Sequence, residues 1–119
     1  MTETSLVIEP LIKRKIFTSE EEAVRELLRA YILRQLTTLQ ADIERFEQKY
    51  GMSLQRFNQY LHERAALLES TELTPDQRRV LGQTIMREED DWLDWKAAQE
   101  MLESWLGLRQ EVAKLIAQQ

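Results

Sequence analysis

The sequence predicts an all-α protein: a short N-terminal helix-turn-helix hairpin, then a long coiled-coil-like helix, then two to three further helices. Three observations carry this. Thr18-Ser19-Glu20-Glu21-Glu22 is a helix start that leads into an apolar pattern unbroken to Tyr50. Only 3 Gly and 2 Pro occur in 119 residues, so little interrupts a helix. Thr74-Pro75-Asp76-Gln77 is a second, independent start, joining an N-cap, proline at the first helical position and a capping-box glutamine.

Taken in order, residues 6–15 read as a short apolar-basic helix, or as a short strand followed by a helix. The long helix begins at about Ser19. Thr18 or Ser19 can accept from the free N–H groups of the first turn, and Glu21 or Glu22 can reach back as the capping-box partner. Three carboxylates there also suit the positive end of the helix dipole. Apolar side chains follow at Val24, Leu28, Ile32, Leu36, Leu39, Ile43, Phe46 and Tyr50, with strict four-three spacing from Ile32 onward. That is a coiled-coil-like seam, and the seven residues from Val24 to Phe46 are the candidate homodimer interface. Gly51 is the natural left-handed stop.

Ser53 caps a third helix with Leu54, Phe57, Leu61 and Leu68 on its apolar face. Residues 69–72 read as a polar loop. The last helical region carries Leu81, Ile85, Trp92, Trp95, Leu102, Leu106, Val112 and Ile116. Glu88-Glu89-Asp90-Asp91 divides the readings: four adjacent acids repel one another and Asp91 can restart a helix, so the region is either one helix or two. Read by itself, the run is a solvated acidic turn. Two regions follow: 1–50 as hairpin and dimerisation helix, and 51–119 as a helical extension that binds a partner.

Composition narrows the chemistry. The net charge is −5, yet the first forty residues balance six basic against six acidic groups, so the excess acid lies beyond them. Lys13-Arg14-Lys15 is the one dense basic cluster and the only nucleic-acid candidate. Three cations fall well short of the basic face of a strong DNA binder, and they also suit a helix C-terminus. The absence of Cys removes disulfides and thiolate chemistry and fits a reducing compartment. With no signal-like or membrane-spanning stretch, the expectation is a soluble cytoplasmic protein without membrane contact. His62 is the sole histidine, and Ala66 stands where a zincin helix needs its second one. No phosphate-binding glycine loop or calcium loop is present. No enzyme, cofactor or metal is therefore expected.

Aromatic residues at helical spacing remain. Trp92, Trp95 and Trp105, with Met101 and Leu102, can share one broad face, either as core or as a surface for a partner protein. Residues three apart diverge by roughly 60° on a helix, which suggests Trp92 as core and Trp95 or Trp105 as partner anchor.

Residues 6–36, with their short helix, the Ile16-Phe17-Thr18-Ser19-Glu20-Glu21 turn and the Ala23-Val24-Arg25-Glu26-Leu27-Leu28 run, resemble the helix-turn-helix part of ribbon-helix-helix antitoxins of the CopG/Arc class. Tyr50-Gly51-Met52-Ser53, Phe57 and Trp95-Lys96-Ala97-Ala98-Gln99-Glu100-Met101-Leu102 resemble the long-helix extension of prokaryotic antitoxin-like proteins of that group. The ribbon that would read DNA is reduced or absent: Leu6-Val7-Ile8 is a continuous apolar triplet where alternation is required, and only Thr2 and Thr4 are left to form a remnant. The resemblance implies a homodimer that neutralises a cognate toxin, with Trp92, Trp95, Met101, Leu102 and Trp105 as its candidate toxin-binding residues and DNA as at most a weak partner. The alternatives are a scaffolding coiled-coil protein and a transcriptional repressor.

Overall fold

The computed structural model describes residues 2–70 and 72–118; Met1 and Thr71, which belong to the expected ribbon remnant and polar loop, lie outside the described residues. Among the described residues four helices follow in order: α1 (Glu3–Lys13), α2 (Glu20–Tyr50), α3 (Leu54–Leu67) and α4 (Pro75–Ala117). No strand occurs among the described residues.

Local chemistry accounts for nearly every boundary. Thr2 opens α1 by accepting from the Ser5 N–H at 3.1 Å, so Thr4 and the Leu6-Val7-Ile8 triplet are helical and the strand alternative falls. The helix closes with Lys15 in the left-handed region at φ 60°, and the Ile16 N–H reaches back to the Leu11 carbonyl at 3.0 Å. This is a Schellman-type closure on a non-glycine residue, a conformation that costs roughly 1 kcal/mol.

At the start of α2, Ser19 accepts from the Glu22 N–H at 3.1 Å, and Glu22 in turn accepts from the Thr18 N–H at 2.8 Å and from the Thr18 hydroxyl. Of the two carboxylates the sequence offered as capping partner, Glu22 is the one used. The Thr18 hydrogen bonds hold its carboxyl below the usual glutamate range. Gly51 ends the helix at φ 65°, and Ser53 caps α3 by accepting from the Arg56 N–H at 3.2 Å. Thr74 and Gln77 form a reciprocal capping box at the start of α4, with bonds of 3.0 and 3.2 Å. From there α4 runs 43 residues without a break, passing straight through Glu88–Asp91.

Two compact units divide the chain, one made of residues up to Thr37 together with those from Trp105 onward, the other of Thr38–Ser104. This differs from a division at residue 50, because α2 and α4 each contribute residues to both units.

Candidate interaction surfaces

In the Thr38–Ser104 unit, three helices converge on Trp95. Its side chain is 1% exposed, with the Phe57, Phe46 and Tyr50 rings at 5.5, 5.7 and 6.3 Å between centroids. Phe57 is wholly buried, and Ile43, Leu61 and Ala98 complete the centre, with Leu39, Trp92 and Leu102 half-buried around it. Trp95 is thus the core residue of the aromatic series, and the expectation of an anchor there is corrected. Phase explains it: with Ile85, Glu88 and Ala98, Trp95 lies on the one side of α4 that faces α2 and α3.

Polar groups enter this core in two sets. Glu88 is 7% exposed and accepts from Arg64 Nη2 at 2.8 Å, while burial and a hydrogen bond to Glu88 raise the Tyr60 hydroxyl above its usual range. The Arg64 guanidinium also lies over the Tyr60 ring at 5.3 Å. Three residues further along, Asp91 accepts from Lys49 Nζ at 2.6 Å and from the Tyr50 hydroxyl. The acidic run is therefore no solvated turn. Glu88 and Asp91 point inward and find partners on α2 and α3, while Glu89 and Asp90 stay exposed, so the four charges are split between opposite sides of the helix. The sequence carried a signal for this, since Ile85, Glu88, Trp92 and Trp95 keep a three-four spacing.

The Asp91 site makes stability depend on pH at both ends. Desolvation alone would raise the Asp91 carboxyl, but the Lys49 and Tyr50 hydrogen bonds and the Lys49 and Arg45 charges outweigh it and hold the group below its ordinary value. A carboxyl that releases its proton more readily when folded adds stability above the unfolded value of about 4, and that stability is lost as pH falls further. Tyr50 has the opposite sign: burial, then the Asp91 hydrogen bond, push its hydroxyl well up. Its contribution is complete below about pH 10 and is lost as pH rises beyond that. Urea midpoints measured across pH are expected to show Asp91→Asn flattening the acid limb and Tyr50→Phe flattening the alkaline limb.

The candidate dimer seam separates into two kinds of residue. Ile32, Leu36, Ile43 and Phe46 are buried by the chain's own side chains and Leu39 is half-buried, which corrects the expectation that they await a second copy. Val24 and Leu28 are 44% and 38% exposed. With Val112, Leu115 and Ile116 they line a groove of about 1070 Å³, rimmed by Glu21 and Arg25. Leu27 and Tyr31 are exposed on the same helix, and Tyr31 meets the Trp105 ring edge-on at 5.7 Å.

Among the candidate toxin-binding residues, Met101 is half exposed, Trp92 and Leu102 border the core, and Trp105 belongs to the unit that contains Tyr31. Trp92 and Trp95 thus belong to the Thr38–Ser104 unit and Trp105 to the other. Residues missed at the sequence level are Leu93 and Met86, which stand exposed on α4. Leu93 also borders a cleft of about 360 Å³ lined by Leu61, His62, Ala65, Glu89 and Trp92. His62 is exposed and donates from Nδ1 to the Asn58 carbonyl at 2.8 Å.

Lys13, Arg14 and Lys15 are exposed at the end of α1. Lys13 pairs with Glu9 at 3.1 Å, Arg14 donates to the Pro10 carbonyl at 3.2 Å, and Lys15 carries the left-handed backbone. Among the described residues no group of three or more His, Asp or Glu converges as a metal site, and no helix is long and apolar enough to cross a membrane. Comparison with family models, curated proteins and solved structures finds nothing that matches this chain.

Proposed function

We propose that the chain is an antitoxin-like binding protein that homo-oligomerises and neutralises a cognate toxin through helix contacts. The observation that carries this reading is the apolar surface its long helices leave uncovered: Val24, Leu27, Leu28 and Tyr31 on α2, and Leu93 and Met101 on α4. Soluble domains seldom leave so many large apolar side chains on consecutive helical turns unless another surface covers them. The upper seam at Val24 and Leu28 serves self-association, and the outer side of α4 serves the toxin. Inhibition follows from covering the toxin's working surface, a helix-in-groove mode. Any autoregulatory DNA contact falls to the Lys13-Arg14-Lys15 triplet and is weak, since two of its three cations already have partners within α1.

Co-expression tests this reading. The protein is expected to restore growth to cells expressing the product of the neighbouring small reading frame, and Val24→Glu with Leu28→Glu is expected to lower its sedimenting mass without unfolding it. Both side chains are substantially exposed, so the pair tests association rather than core packing. A folded wild-type monomer that rescues no neighbouring gene product removes both halves of the proposal. An unchanged oligomer in the double variant, with rescue intact, moves the self-contact elsewhere.

A further inference from the structure

We infer that the outer face of α4 between Met86 and Met101, with the cleft beside it, docks a cationic amphipathic helix of a partner protein. The inference rests on the binding-protein reading above and adds the chemistry of the segment that α4 meets. Met86, Leu93 and Met101 are 66%, 56% and 49% exposed and Ala97 is exposed between them. At 100° per residue these four fall on one stripe, opposite the side that buries Glu88 and Trp95. The stripe covers sixteen positions, about 23 Å, enough for four turns of a docked helix. Its lip at Leu93 opens into the cleft of about 360 Å³ toward Leu61, Ala65 and the half-buried Trp92, a pocket suited to one large apolar anchor.

Charge selects the occupant. Glu89 and Glu100 flank the stripe on one side, Asp94 on the other, and Asp90 lies within it. The Thr38–Ser104 unit as a whole holds fourteen acidic against eight basic residues. Two of those cations, Lys49 and Arg64, are engaged by Asp91 and Glu88 inside the unit, and Lys96 is held over the Trp92 ring at 5.0 Å. Arg87, at the stripe's margin, is the remaining cation near it. An apolar row edged by carboxylates matches a helix with an apolar seam edged by lysine or arginine, and like-charge opposition excludes an acidic one.

A labelled synthetic peptide of three Leu-Lys-Lys-Leu-Leu-Lys-Leu heptads, and its counterpart with Glu at each Lys, serve as probes of the full-length protein by fluorescence anisotropy. The Lys peptide is expected to bind at least about tenfold more tightly than the Glu peptide. Leu93→Gln with Met101→Gln is expected to weaken it about tenfold while leaving the melting curve unchanged. Glu89→Lys with Asp94→Lys is expected to reverse the preference. Equal binding of both peptides, or Lys-peptide binding indifferent to the Leu93 and Met101 changes, overturns the docking surface. Growth rescue separates the two readings. If Leu93→Gln with Met101→Gln rescues as well as the wild type, the surface falls and the antitoxin reading stands. If the wild type fails to rescue while the peptide preferences hold, the surface stands and the antitoxin reading falls.

Discussion

Trp95→Ala is expected to destabilise the protein by about 4 kcal/mol, the range found when a buried large aromatic is truncated. The side chain is 1% exposed and three aromatic rings stand within 6.3 Å of it, so the vacated volume is bounded on several sides by rigid groups that cannot collapse into it. Against a typical total of about 5–15 kcal/mol, such a loss leaves the Thr38–Ser104 unit marginal or unfolded at ambient temperature. Urea titration followed by far-ultraviolet circular dichroism reads the effect. Trp92→Ala is the internal comparison: half-buried at the edge of the same core, it is expected to cost clearly less. Equal midpoints for the two variants would remove Trp95 from the centre of the core.

The second large effect is expected from Arg64→Ala, at about 3 kcal/mol. Glu88 is buried, and removing the guanidinium leaves a carboxylate with no cation beside it in a poorly solvated site. Arg64 keeps a quarter of its side chain in contact with solvent, which places the cost at the low end for a broken buried pair. Lysine is no substitute, because Arg64 both donates to Glu88 and places its guanidinium over the Tyr60 ring. Arg64→Met with Glu88→Leu removes both charges together and is expected to recover most of the loss, since an apolar pair of similar volume needs no desolvation. A double variant as unstable as Arg64→Ala alone would show that the cost lies in packing around the guanidinium stem and not in the stranded charge. The Nε of Arg64 is already buried without a hydrogen-bond partner, a further reason for the apolar pair to do well.

What the sequence determined by itself is the set of features whose causes lie within a few residues. Helix starts at Ser53 and Thr74 and the stop at Gly51 were legible because each is set by a side chain three positions away or by one backbone angle. The apolar side of α2 was legible for the same reason, since periodicity is a local property. Periodicity says which side of a helix avoids water; it does not say what covers it. Ile43 and Phe46 are covered by Phe57 and Trp95 of the same chain, whereas Val24 and Leu28, in the same register, remain open. Only tertiary structure could separate these two groups.

The acidic run makes the same point energetically. Judged by its neighbours, Glu88–Asp91 is a repulsive stretch that belongs in water or at a helix break. Its actual partners come from far along the chain, Arg64 at a separation of 24 and Lys49 and Tyr50 at 42 and 41, and they turn two of the four acids, buried Glu88 and half-buried Asp91, into ties between helices. Trp92 and Trp95 are indistinguishable in sequence terms, both being tryptophans on one helix in one apolar pattern. Which of them becomes the core is decided by where α2 and α3 meet α4, and that depends on the packing of all three helices together.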